Sequence, residues 1–113
     1  MKWLSRTEEM LLLAVHALGE DAYGLSVRNY LQKLSGKHFS VGAIYVPLER
    51  LEEKGLLTSK ESEPIAERGG RSKRLYCLTS QGANELAEVK RLSDALWARY
   101  RQAVGSYAKQ SAT

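Results

Sequence analysis

The chain has 113 residues and a mass of 12.6 kDa, with 43% hydrophobic and 27% charged residues, enough for one hydrophobic core and too few for two. That composition excludes a disordered, collagenous or disulfide-stapled chain. Seventeen Lys and Arg against thirteen Asp and Glu give a net charge of +4 and a pI near 9.3, an excess that bears on partners only where the positive charge is clustered.

Cys77 is the single cysteine, so no disulfide forms within the chain, and no stretch resembles a secretory signal; a reduced, cytoplasmic setting is expected. The longest apolar run, Met10 to Val15, is far too short to cross a bilayer, and no membrane partner is expected.

Ser5-Arg6-Thr7-Glu8 reads as a capping box, with Ser5 or Thr7 as N-cap. Leu11, Ala14, Val15 and Leu18 then recur at helical spacing, and Gly19 ends the first helix. Asp21 is placed to cap a second helix, in which Val27, Tyr30, Leu31 and Leu34 repeat the spacing up to Gly36. Ser40 caps a third, with Val41, Ile44, Leu48 and Leu51 inward and Gly55 after its last turn. Helices this short are stable only by sharing a core. Pro47 falls inside the third and removes the bond to the Ala43 carbonyl, which predicts either a bend there or a later start.

From Leu56 to Ser62 the helical stripe is lost, Arg68-Gly69-Gly70-Arg71 forms a glycine turn, and Arg74 to Leu78 is extended in character. The economical reading is two short strands around a basic, glycine-tipped hairpin. Thr79 caps a last helix running to about Tyr107, with Leu86, Val89, Ser93, Leu96, Tyr100, Ala103 and Tyr107 forming a heptad seam. Roughly 25 residues of helix extend about 37 Å. That exceeds what the first half can cover, and the simplest partner for the surplus seam is a second copy of the chain. The expected architecture is mostly α with a small two-stranded β wing. Residues 1–79 form a winged helix-turn-helix and residues 80–113 a dimerisation helix with its tail.

In that arrangement the third helix enters the major groove and the hairpin lies on the backbone or in the minor groove. Opposite the inward side of the third helix a wheel places Gly42, Val46, Glu49, Arg50 and Glu53, with Ala43 at the rim. Val46 there is either a stray surface valine or an apolar group for a thymine methyl, with Arg50 able to reach guanine or phosphate. Ser40 opens this helix. Tyr23 and Tyr45 are either half-buried core tyrosines or hydroxyl donors to phosphate, and a tyrosine can be both. Arg68, Arg71, Lys73 and Arg74 place four cations within seven residues beside Gly69 and Gly70. Alone that is a solvated loop; downstream of a helix-turn-helix it reads as a contact to DNA. Lys37 and His38 are either solvated or further phosphate contacts.

An enzyme finds no support: His16 and His38 are far apart, no Cys or His pair has metal-ligand spacing, and no residue is placed to activate Cys77. Adjacent Glu8-Glu9 and Glu52-Glu53 point about 100° apart on helix surfaces, as solvated carboxylates do. No cofactor is implied. Trp3, Trp97, Tyr100 and Tyr107 serve either dimer packing or a pocket for a flat aromatic effector, which Trp3, Trp97 and Tyr100 would line. A winged-helix module that docks a partner protein is the alternative to a DNA binder.

In its ordered motifs the chain resembles the PadR family of bacterial transcription regulators, in particular its short members. Glu20-Asp21-Ala22-Tyr23-Gly24, Gly42-Ala43-Ile44-Tyr45 and the run from Leu48 to Leu56 carry the resemblance, with Glu67 to Arg71, Arg74 to Thr79 and Gly82, over roughly residues 5 to 90. It implies a homodimer built through the terminal helices that binds near-palindromic operators in double-stranded DNA and represses transcription, often under control of a phenolic or drug-like ligand. By the same resemblance Tyr45 and the start of the third helix correspond to groove or phosphate contacts and Arg68 to Arg74 to the wing. Pro47 departs from the helix-compatible residue of many relatives.

Overall fold

The computed structural model describes residues 3–63 and 73–111, with residues 106–111 as helix backbone. Helices α1 (Arg6–Leu18), α2 (Gly24–Ser35) and α3 (Val41–Glu53) precede strands β1 (Leu57–Glu61) and β2 (Arg74–Leu78), and α4 (Ser80–Ser111) closes the chain. The strands pair antiparallel, with Leu57 opposite Leu78 and Glu61 opposite Arg74. Arg68, Gly69, Gly70 and Arg71, the expected tip of the hairpin, lie outside the described residues, as does the side chain of Tyr107.

The box at the start of α1 is built by Ser5. Its Oγ accepts from the Glu8 N–H at 3.1 Å, and the Glu8 carboxylate accepts from the Ser5 N–H at 2.9 Å. Glu8 also takes the Lys54 ammonium from the end of α3 at 2.6 Å, tying the two helices together. Burial pushes the Glu8 carboxyl up, but the bonds from Lys54 and Ser5 outweigh it and hold the group below its ordinary 4.5. A carboxyl with a depressed folded-state pKa stabilises the fold above the unfolded value and loses that contribution as pH falls through the folded one. Glu8→Gln is therefore expected to cost ~0.5–1 kcal/mol near neutral pH. In urea titrations the gap from wild type should close as the pH drops below the ordinary carboxylate value of 4.5.

Helix α2 starts at Gly24, later than Asp21 would place it. Gly19–Asp21 forms a turn of 3-10 helix, the Asp21 carbonyl accepts from Ser26 Oγ at 2.5 Å, and the Ala22 carbonyl accepts from the Tyr76 N–H of β2 at 2.7 Å. The segment is held by the strand and by Ser26, so Asp21 has no helix to cap. The α2–α3 turn is closed by two polar side chains of α2. The Phe39 carbonyl accepts from Arg28 Nε at 2.6 Å, and the Phe39 N–H donates to Gln32 Oε1 at 2.9 Å.

Helix α3 is capped by Ser40, whose Oγ accepts from the Ala43 N–H at 3.2 Å, and it runs through Pro47 without interruption. The helix begins at Val41, so the later start is not present. The core consists of Leu11, Leu12, Ala14, Val15, Val27, Leu31, Ile44, Leu48 and Leu51 from the helices, joined by Ala22, Leu56, Leu57 and Tyr76. Val41 and Leu34, expected inward, are 57% and 69% exposed. Each lies at the end of its helix next to the α2–α3 turn, outside the core layer that Leu31 and Ile44 close.

Thr79 caps α4: its Oγ1 donates to the Gly55 carbonyl at 2.7 Å and accepts from the Gly82 N–H at 3.0 Å. The same turn presses Gly82 against the chain after α3, where a Cβ would stand 2.3 Å from the Leu56 carbonyl oxygen. Beyond Leu86 and Val89 the helix runs past the start of α1 and continues to Ser111, past the expected end at Tyr107. Its 32 residues span about 48 Å. The radius of gyration is accordingly 18.0 Å, against about 13 Å for a compact chain of this length. Among the described residues no single helix is long and apolar enough to cross a membrane. Helices α1 and α2 meet that test only as a pair bent by 120°, and their apolar residues form the core.

Candidate nucleic-acid interface

The core takes one side of α3 and leaves the other as a surface of unusual composition. Gly42, Ala43, Val46, Glu49, Arg50 and Glu53 are all exposed. Val46 is 47% exposed, and nothing lies within 4 Å of where a Cβ on Gly42 would sit. A glycine in the first turn of a helix costs stability relative to alanine, and no contact among the described residues requires it.

Gly24 is the opposite case. A Cβ there would stand 2.2 Å from the Tyr45 ring and 2.6 Å from its hydroxyl. The absent side chain is what lets Tyr45 pack against the first residue of α2. Its ring and hydroxyl are thereby packed beside the start of α2, while the residue as a whole stays 39% exposed, near a helix end whose free N–H groups favour anions. Of the two readings of Tyr45, the packed ring is present.

The base of the wing meets this arrangement from the other side. Lys73 Nζ lies 4.1 Å from the centre of the half-buried Tyr23 ring, within cation–π range. The Lys73 N–H donates to Ser62 Oγ at 2.8 Å, and the Ser62 N–H donates to the Lys73 carbonyl at 2.7 Å, which closes the base of the hairpin. Tyr23, Gly24, Tyr45, Glu49, Lys73, Arg74 and Tyr76 line a single cleft of 340 Å³ between α2, α3 and β2. Burial holds the Tyr76 phenol above its ordinary range; Arg74 opposes this, and Glu52, Glu49 and Tyr45 add to it. Arg74 is engaged with Ser59 and Glu52. Lys37 and His38 are exposed in the α2–α3 turn.

The structure thus brings Tyr23, Tyr45, Lys73 and Arg74 together with Glu49 of the exposed side of α3, while Gly42, Val46 and Arg50 lie outside the cleft lining. Arg28, Gln32 and Ser59 also hold the parts in place, with no sequence expectation attached to them; Glu52 and Glu8, expected to be solvated carboxylates, are instead bonded to Ser59 and Lys54. Arg28 and Gln32, one turn apart beside the apolar stripe of α2, were the available signal.

A second surface runs along α4. Leu86, Val89 and Ser93 are half-buried, while Leu96, Tyr100 and Ala103 are exposed. Trp97 meets Tyr100 edge to face, with centroids 5.3 Å apart. Trp3, Leu4, Val89, Leu92, Leu96, Trp97 and Tyr100 line an open groove of 430 Å³, so all three expected pocket aromatics converge. His16 and Cys77 border another groove, between α1 and the sheet. Among the described residues no group of three or more His, Cys, Asp or Glu side chains could hold a metal ion.

The model of the PadR-like family of transcriptional regulators matches residues 12–88. The chain belongs to this family. The matched span runs from the core of α1 through the wing to the first turns of α4, so it takes in the whole cleft. Solved structures agree with the PadR fold. A transcriptional regulator from Clostridium thermocellum is 14% identical with a TM-score of 0.68, over 85% of this chain and 87% of that one. A PadR-like regulator from Bacillus cereus is 19% identical at 0.66, over 84% and 90%. A PadR family regulator from Clostridium difficile is 26% identical at 0.64, over 84% and 95%. The comparison with curated proteins finds no match. The winged-helix order and the terminal helix of this PadR-like chain are those expected from its sequence.

Proposed function

We propose that this PadR-like regulator is a sequence-specific DNA-binding repressor that works as a homodimer on a near-palindromic operator in the cytoplasm. Residues 1–79 bind the duplex and residues 80–113 form the dimerisation helix and tail. The observation that carries the reading is the cleft in which Tyr23, Tyr45, Glu49, Lys73 and Arg74 meet, so that the wing base borders the exposed side of α3.

Gly42, Ala43, Val46 and Arg50 meet base edges in the major groove. Ser40, Tyr23 and Tyr45 sit where phosphates pass the ends of α2 and α3. Arg68 and Arg71, with Gly69 and Gly70 allowing close approach, lie along the backbone. Leu86, Val89, Ser93, Leu96, Tyr100, Ala103 and Tyr107 form the seam between two copies, and a small aromatic effector fits the groove of Trp3, Trp97 and Tyr100. No catalytic role is proposed: regulation needs only differential binding.

The test is a salt titration of duplex binding. Arg68→Ala with Arg71→Ala should weaken binding to every sequence and lower the slope of log affinity against log salt by about 0.9 for each phosphate no longer neutralised. An unchanged slope contradicts wing contact.

A further inference from the structure

The wing enters this reading as a group of cations, yet its described cations already have partners inside the molecule. Arg74 Nη1 donates to Ser59 Oγ at 3.0 Å and lies 3.6 Å from Glu52 Oε1, while Ser59 Oγ donates to Glu52 Oε2 at 2.6 Å. Glu52 belongs to α3, Ser59 to β1 and Arg74 to β2, so three elements meet at one hydroxyl. The pleat explains the meeting. Side chains two apart share a sheet face, and Ser59 stands opposite Tyr76 in the register. Arg74 therefore shares its face with Ser59, Tyr76 and the buried Leu57, the face turned to the core. A carboxylate at this distance also offsets the attraction of the guanidinium for phosphate.

We infer that Arg74 is a positioning residue: held by Glu52 through Ser59, it sets the angle of the wing against α3, and the charge that meets DNA comes from other residues. Lys73, seated on Tyr23, fixes the same base from the α2 side. The inference rests on the DNA-binding reading above and concerns which cations do the binding and which aim them.

The two roles make opposite predictions for Glu52. Were Glu52 simply a negative charge near the duplex, its removal would tighten binding. As part of a brace, its removal loosens the wing and weakens binding. The experiment measures Glu52→Ala, Arg74→Ala and the double variant against a selected operator duplex. Salt titration and hydroxyl-radical footprinting are both run well below each variant's unfolding temperature.

Each single change should weaken binding about two- to fivefold, the range of an exposed ion-pair network. The double variant should be no worse than either single one, and the salt slope should stay at the wild-type value. Protection at the outer flanks of each half-site should fade while protection over the α3 groove persists. Tighter binding by Glu52→Ala, a slope lowered by about 0.9 in Arg74→Ala, or wild-type affinity in all variants overturns the brace alone. A wild-type chain that binds no duplex overturns the DNA reading and the brace with it.

Discussion

A chain carrying Leu96→Glu and Tyr100→Glu is expected to be a folded monomer that binds its operator about a hundredfold or more weaker than wild type. Both side chains lie on the α4 stripe, 63% and 54% exposed, and Trp3, Leu13, Leu92, Trp97 and Val104 are exposed as well. An apolar surface of this extent calls for a partner. In the proposed dimer a second copy would cover it with the same residues, because a two-fold interface is self-complementary. Two carboxylates in that seam would be buried without partners. Because Leu96 and Tyr100 lie outside the core, the monomer should keep a cooperative urea transition, below wild type only by the concentration-dependent contribution of dimerisation. The loss of affinity comes from binding one half-site in place of two linked ones, an effect of about 10²–10⁴ for tethered modules. Sedimentation and duplex titration together check it. A wild-type chain already monomeric, or a variant that still dimerises, contradicts the assignment of α4.

Gly42→Leu is expected to raise stability and destroy recognition at once. The position is exposed, its φ is not positive, and nothing lies within 4 Å of the Cβ direction. A strong helix former there should add ~0.5 kcal/mol to the unfolding free energy. If the first turn of α3 lies against base edges, the added side chain occupies the space of the DNA. The loss should then exceed tenfold, on the scale of ~1–3 kcal/mol for a mismatched contact. Opposite signs in the two measurements separate an interface position from a structural one. A variant that is more stable and binds as well as wild type moves the recognition surface away from Gly42.

The elements that local chemistry determines were legible in the sequence. Ser5 with Glu8, Ser40 and Thr79 each cap the helix they precede, because a side-chain oxygen at a helix start has few competing donors. The apolar stripes of α1 to α3 gave the core because three short helices have one way to bury them together. Asp21 misled because the carbonyls around it are claimed by Ser26 and by β2, contacts that no local pattern reveals. Val41 and Leu34 misled because periodicity assigns a side and not a depth, and helix ends reach past the core. Pro47 is accommodated within α3, whose first turn is set by the Ser40 cap. The site was legible as residue types and not as contacts: the Tyr45–Gly24 stack and the Glu52–Ser59–Arg74 network join residues from separate elements.

Those contacts give the parts their division of labour. Arg28 and Gln32 fix the turn that presents α3, Gly24 allows Tyr45 to lie against α2, and Glu52 ties α3 to the sheet. The surface of α3 is thereby held without spending its own exposed side chains on packing, which leaves them for a partner. Two such surfaces, related by the two-fold axis of an α4 seam, would face successive major grooves.

The most direct measurement is selection of bound sites by the full chain from a pool of random duplexes. The account predicts enrichment of a two-fold symmetric motif whose half-sites are centred about one helical turn apart, roughly 10–10.5 base pairs. A pool that shows no enrichment after repeated rounds at low salt would contradict it.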